Sequence, residues 1–251
     1  MKITIYTLFP KMFDGFLTNS IIKRAISKKV VQIKIVNIRD YTKDKYGRVD
    51  TPPVSGGAGL IMKCQPIVDA IKNNNGYKIL LSPRGKTFNE DKAKALAKKK
   101  EIALICGHYE GVDERVNKYV DELVSIGDYV LTGGEIASMA IADSVIRLLK
   151  GAITNTSLDN ESFNDNLLEY PQYTEPYNYK GAKVPDVLYS GNHKVIDRYN
   201  RKMQLKLTKK YRPDLFRKIK LSKEDLRLLN EDEYTKLELA AIKKGKKYIP
   251  H

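Results

Sequence analysis

Cysteine is scarce in this chain of 251 residues: only Cys64 and Cys106 occur, far apart and each in an apolar neighbourhood. That excludes a disulfide framework and points to two buried thiols in a reducing cytoplasm. Histidine is nearly as rare, and His108, His193 and His251 lack any spacing that suits zinc, so no metal site is expected. Long apolar runs are missing too. No stretch approaches the roughly 18 residues of a membrane span. The start, Met1-Lys-Ile-Thr-Ile-Tyr-Thr-Leu8, alternates like a half-buried strand and not like a signal peptide. No membrane partner and a cytoplasmic setting are therefore expected. Two common nucleotide cradles are absent as well. There is no G-x-x-x-x-G-K-[ST] to wrap a triphosphate, and no G-x-G-x-x-G opens a helix. The dense cluster Ser55-Gly-Gly-Ala-Gly59 follows a proline-rich loop, not a strand.

Acids are the minority charge. Lys and Arg number 45 against 30 Asp and Glu, a net charge of +15, with a pI near 9.5. Such an excess suits a polyanionic partner, because each neutralised phosphate releases counterions. A lysine-rich background would give the same total without a partner, but the distribution is uneven. Asn192 to Lys220 holds eleven Lys and Arg against Asp197 and Asp214, with Tyr199, Tyr211 and Phe216 interleaved. A basic helical segment with aromatics fits phosphates and unpaired bases.

Two glycine-punctuated loops each follow an apolar run. Glu101–Cys106 leads into Gly107-His-Tyr-Glu-Gly111, and Glu122–Ile126 leads into Gly127-Asp-Tyr-Val-Leu-Thr-Gly-Gly-Glu135. Runs of this kind read as buried strands of an α/β sheet, whose ligands sit at the strands' carboxyl ends. A single loop could be a ligand-free turn; two neighbouring ones carrying Tyr109, Glu110, Asp128 and Tyr129 read as a small-molecule cradle.

Strands are expected at Lys2–Leu8, Val31–Ile38, Tyr77–Leu81, Ile102–Cys106 and Leu123–Ile126. Helices are expected at Ser20–Lys28, Gln65–Asn73, Asn89–Lys100, Val112–Tyr119 and Gly134–Lys150, with Ser20 and Asn89 as N-caps. This alternation predicts a mostly parallel sheet with flanking helices over residues 1–153. A polar segment, 154–166, reads as a linker or a loop that orders around substrate. Residues 167–251 read as a small basic helical domain, with helices near Asn192, after Pro213, behind Ser222-x-x-Asp225 and over Glu231–Lys244.

Taken together, these motifs resemble the bacterial tRNA (guanine-N1)-methyltransferases of the TrmD family, knotted members of the SPOUT class. The resemblance runs nearly end to end, through Thr7-Leu-Phe-Pro-Lys-Met-Phe13, Ile38-Arg-Asp-Tyr41, Gly56-Gly-Ala-Gly59, Gln65-Pro66 and Leu81-Ser-Pro-Arg-Gly85. It continues through Cys106–Val116, Ser125–Glu135, Val184-Pro-Asp-Val-Leu-Tyr-Ser-Gly-Asn-His193 and Arg198-Tyr-Asn-Arg-Lys202.

The resemblance implies a SPOUT-type trefoil-knotted parallel sheet that holds S-adenosylmethionine. The cofactor positions fall on Leu81, Ser82, Pro83, Gly85, Gly107, Ile126, Gly127, Asp128, Tyr129, Val130, Leu131, Gly133 and Gly134. It also implies a homodimer, and tRNA bound through His193, Arg198, Arg201 and Lys202. The substrate implied is the guanosine immediately 3′ of the anticodon, methylated on N1. That nitrogen loses its proton roughly two units above neutral pH, which costs about 3 kcal/mol. A carboxylate base and a cation beside the guanine oxygen would help. The matching positions are Glu161, with Asp159 as the rival, and Arg147, for which an i,i+4 pair with Asp143 is the plain alternative. Glu110 matches a position tied to catalysis or to magnesium support.

This chain departs from the family pattern in places. Glu161 replaces the usual Asp, Tyr173-Thr-Glu-Pro176 replaces Tyr-Thr-Arg-Pro, and Ala137 replaces a proline. Two other readings remain at this point: an RNA-binding module without catalysis, and another SPOUT enzyme acting on ribosomal RNA or a tRNA ribose.

Overall fold

The computed structural model describes residues 1–153, 162–231 and 234–250. The chain forms two compact units, Met1–Asn155 and Thr156–His251. In the first unit the order is β1 (Lys2–Thr7), α1 (Asp14–Thr18), α2 (Ser20–Ser27), β2 (Gln32–Asn37), β3 (Asp50–Thr51), β4 (Ile61–Met62), α3 (Cys64–Ile71), β5 (Tyr77–Thr87), α4 (Glu90–Ala97), β6 (Glu101–Ile105), β7 (Glu122–Ser125) and α5 (Glu135–Arg147).

Five strands make one parallel sheet in the order β2-β1-β6-β5-β7. The apolar runs need both faces covered, as parallel sheets do. Alternation along β6 divides them. Ile102, Leu104 and Cys106 join a core with Ile3, Ile5, Val124 and the α5 residues Ile141 and Val145. Ala103 and Ile105 join a second core on the opposite face, with Ile67 and Ile71 of α3 and Val116.

Local signals set several boundaries. The Asn89 side chain caps α4 by accepting from the Lys92 N–H at 2.9 Å, with Glu90 and Asp91 at the helix's positive end. The expected cap at Ser20 shifts to Asn19, which has the extended cap conformation, while Ser20 itself has φ 53°. The helix expected over Val112–Tyr119 is a 3₁₀ turn, Glu114–Tyr119, because Asp113 folds back onto Arg115 through both its N–H and its guanidinium. β5 runs six residues past the expected Leu81 to Thr87, and its register with β7 shifts between Leu81 and Lys86.

The second unit contains a small hairpin, β8 (Asn178–Tyr179) and β9 (Ala182–Lys183), then α6 (His193–Tyr211), α7 (Pro213–Phe216), α8 (Lys223–Leu229) and α9 (Lys236–Gly245). Ser222 with Asp225, and Thr235 with Glu238, form capping boxes that start α8 and α9. The second box explains why the last helix begins at Lys236 and not at Glu231. Two apolar clusters hold the unit together. Val187, Val195, Tyr199 and Ala241 form one, and Leu167, Leu205 and Leu228 the other.

Candidate functional site

A pocket of about 390 Å³ lies beside the register shift of β5 and where the chain leaves β6 and β7. Three segments line it: Leu80–Arg84, Gly107–Val112 and Val124–Gly134, the last interrupted at Asp128. Of the positions matched to cofactor binding, all but Gly85 and Asp128 line this space.

Gly85 has a different job. A Cβ there would run into the Leu123 and Val124 backbone, so glycine is needed for β5 and β7 to pass closely at the register shift. Gly133 and Gly134 also answer to the chain itself. Neither has positive φ. A Cβ on Gly133 would meet the His108 ring and the Glu135 carboxylate, and one on Gly134 would stand 2.8 Å from the Cys106 Cα. The Gly134 N–H donates to the Gly107 carbonyl at 2.8 Å, and His108 bridges Gly133. Glycine therefore lets two cradle loops lie backbone to backbone. Gly127 is the one cradle glycine among 107, 127, 133 and 134 with a left-handed backbone, φ 154°, and its neighbour Ser125 both donates to and accepts from its main chain.

Behind the cradle lies a polar chain that the motifs did not single out. Glu135, at the positive end of α5, is 2% exposed and accepts from the Thr7 hydroxyl at 2.8 Å. Its second oxygen is 3.8 Å from His108 Nδ1, a buried atom without a hydrogen-bond partner among the described residues. The Phe9 ring packs on the imidazole with centroids 4.6 Å apart. Thr7 and Glu135 are 128 positions apart, which no local pattern encodes.

Glu110 lines the pocket, but its carboxylate is already engaged. It accepts from the Leu60 N–H at 2.7 Å, while the Glu110 N–H donates to the Leu60 carbonyl at 3.1 Å. Gly59, with φ 86°, leaves room for that carboxylate. Glu110 thus ties the glycine-rich Ser55–Gly59 segment to the cradle. Arg147 stands in the last turn of α5. Asp159 and Glu161 lie outside the described residues. Among the described residues, no group of three or more His, Cys, Asp or Glu is placed to hold a metal, and no helix is long and apolar enough to cross a membrane.

The basic helix adds what the sequence reading did not contain, a set of internal ion pairs. Lys202 is fully buried and donates to both oxygens of buried Glu238, at 2.7 and 2.8 Å. Arg198 pairs with Glu231 and Glu224. Arg201 pairs at 2.8 Å with Asp225, and its hydrogen bond is the main cause that holds the Asp225 carboxyl down at about 2. The three cations matched to tRNA binding are thus each joined to acids of α8, α9 or the residues before α9. Their helical spacing places them on the side of α6 facing those acids. His193, the first residue of α6, is exposed.

Comparison with known proteins matches residues 1–218 to the family described as tRNA (Guanine-1)-methyltransferase TrmD. The chain is 53% identical over 234 residues to the tRNA (guanine-N(1)-)-methyltransferase of Clostridium perfringens, covering 91% of this chain and 99% of that protein. It is 55% identical over 234 residues to the protein of the same name from Clostridium novyi, with 91% and 97% coverage. The protein so named from Clostridium botulinum is 51% identical over 236 residues, with 92% and 98% coverage.

Proposed function

We propose, from the premise that this chain belongs to the tRNA (guanine-1)-methyltransferase TrmD family, that the cradle of its first unit holds S-adenosylmethionine beside a tRNA guanine. The chain is an S-adenosylmethionine-dependent tRNA (guanine-N1)-methyltransferase. The acceptor in this proposal is the guanine immediately 3′ of the anticodon, and the setting is the cytoplasm.

One observation carries the cradle assignment: the irregular stretch of β5 at Leu80–Arg84 and the two loops that follow β6 and β7 line a single pocket. Leu81, Ile126 and Leu131 give it apolar walls, and Gly107, Gly127, Gly133 and Gly134 line it without a Cβ between ligand and main chain. That mixture fits an adenine and a short aliphatic chain. The threading of these loops as a trefoil knot belongs to the same proposal. When bound, S-adenosylmethionine supplies an activated methyl group.

The protein's own residues have separate tasks. Glu161 takes the proton from guanine N1, and Arg147 opposes the negative charge that grows on the guanine oxygen. Glu110 supports the cradle by holding the segment that ends at Leu60. We assign the exposed apolar edge formed by Tyr129, Val130 and Ile136 to contact with a second copy of the chain. In that homodimer, Arg147 and Glu161 can serve a cradle on the other subunit.

The experiment is single-turnover methylation of a tRNA transcript, with titration of S-adenosylmethionine by calorimetry. Glu161→Gln should slow methyl transfer by about 10²–10⁴, with both substrates still bound, while Asp159→Asn stays mild. The reverse ranking assigns the base to Asp159. Near-normal rates in both variants would remove this segment from proton transfer.

A further inference from the structure

We infer that His108 is a further cofactor-binding residue: its Nε2 accepts a hydrogen bond from S-adenosylmethionine, while Glu135 and Thr7 are positioning residues that keep that nitrogen bare. This rests on the cradle reading given above. His108 lines the pocket, and a closed circuit of contacts stands behind it. The Thr7 hydroxyl accepts from the Phe9 N–H at 2.9 Å and donates to Glu135 at 2.8 Å. The Phe9 ring in turn packs on the imidazole, with centroids 4.6 Å apart, and the Tyr109 ring meets it edge-on at 4.9 Å. Gly133 bridges His108 through the backbone, and because it has no Cβ, Nδ1 and the Glu135 carboxylate face each other beside it.

That pairing decides the tautomer. A carboxylate oxygen only accepts, so the ring nitrogen facing it carries the proton. Their separation of 3.8 Å is too long for a hydrogen bond, and a small turn of the ring closes it, as site hydrogen bonds tighten around a ligand. Without that turn Nδ1 is a sealed donor with no partner, a costly state to keep. A neutral imidazole with its proton on Nδ1 has a bare, accepting Nε2. The side chain keeps 21% of its surface exposed although Nδ1 is sealed, so the ring turns its other edge to the space it lines. S-adenosylmethionine offers such an acceptor donors at both ends: the α-ammonium on one, and the hydroxyls and amino group of the nucleoside on the other. The circuit through Phe9, Thr7 and Glu135 fixes the ring before the ligand arrives, in the way that outer partners of a binding histidine set its orientation and tautomer.

The test titrates the full chain in a calorimeter with S-adenosylmethionine and with 5′-methylthioadenosine, which has the nucleoside but no α-ammonium. Glutamine places a polar group where Nε2 lies, asparagine where Nδ1 lies, and phenylalanine neither. His108→Gln should hold S-adenosylmethionine affinity within about 3-fold, whereas His108→Asn and His108→Phe should each lose about 5- to 50-fold. A loss shared by both ligands supports a contact with the nucleoside, and a loss confined to S-adenosylmethionine supports one with the ammonium. Glu135→Gln should weaken binding about 2- to 10-fold, and Thr7→Val less. The tautomer is read separately. The chain has only three histidines, so the ring signals of His108 in ¹H–¹⁵N spectra are identified by their loss in His108→Gln. In the complex Nδ1 should be protonated and Nε2 bare, and Glu135→Gln should mix the two forms. A ring that serves packing alone gives the opposite ranking, with asparagine tolerated and glutamine not. That ranking, equal affinity in all three His108 variants, or a protonated Nε2 in the complex overturns the inference while the cradle reading stands. A wild type that does not bind S-adenosylmethionine overturns the cradle reading as well.

Discussion

The two units treat their chemistry-bearing residues in opposite ways. In the first, glycines let the cradle loops lie backbone to backbone, and the charged side chains at the pocket are few: Arg84 and Glu110, with His108 beside them. In the second, the conspicuous residues are charged, and several of the most conspicuous are turned inward. Lys202, Arg198 and Arg201 hold Glu238, Glu231 and Asp225. A run of cations in a sequence is therefore no map of an RNA-binding face. Internal acids must first be subtracted, and what remains are side chains such as Lys209, Lys210, Arg217, Lys218 and Lys220, all exposed.

The largest effect that would break this contrast is at Lys202. Lys202→Ala leaves Glu238 buried with an uncompensated charge, which should destabilise the second unit by about 3–5 kcal/mol in urea unfolding. The double change Lys202→Met with Glu238→Leu should recover much of that loss. S-adenosylmethionine affinity should be unaffected. If Lys202→Ala is as stable as wild type but loses tRNA, the lysine faces RNA and the contrast fails.

A smaller effect concerns acid. The Asp225 carboxyl is lowered from 3.8 to about 2, chiefly by the Arg201 hydrogen bond and next by Ser222. A lowered carboxyl stabilises the fold above its unfolded value, and that contribution fades as pH falls from about 4 towards 2. Asp225→Asn should cost about 1–2 kcal/mol at neutral pH, after allowance for the partly exposed guanidinium, and should flatten the acid limb of stability. An unchanged acid limb would show that the pair adds nothing.

The smallest effects sharpen the map of the surface. Lys209→Ala and Lys218→Ala should each weaken tRNA binding about 2- to 5-fold and lower the salt slope by roughly 0.7–0.9. Arg201→Ala should leave the slope nearly unchanged. Equal slopes for all three variants would return the ion-paired face to the RNA.

Much of the first unit could be read in advance because its signals are local. Apolar runs bounded by glycine mark the central strands, and Asn89 before Glu90 and Asp91 marks the start of α4. What could not be read depends on pairs far apart in the chain. Gly85 looks like a cradle glycine until the strand beside it is known, because its constraint is the Val124 backbone. Lys202 looks like any cation of a basic helix, since its partner Glu238 lies 36 residues on. The 3₁₀ turn at Glu114–Tyr119 escaped because the Asp113 side chain competes with helix propagation, a choice that apolar spacing does not register.

The Cys106 thiol sits fully buried at the end of β6, beneath the contact between Gly107 and Gly134, and burial pushes its ionisation well above the ordinary thiol range. Cys64 is only partly covered. An alkylating reagent added to the folded chain thus meets one accessible sulfur, and the second becomes available only when the sheet beneath the loops parts. The protein carries its own clock for that opening: the slow second alkylation counts how often the floor of the cradle comes apart, and a molecule seated above it would lengthen the interval.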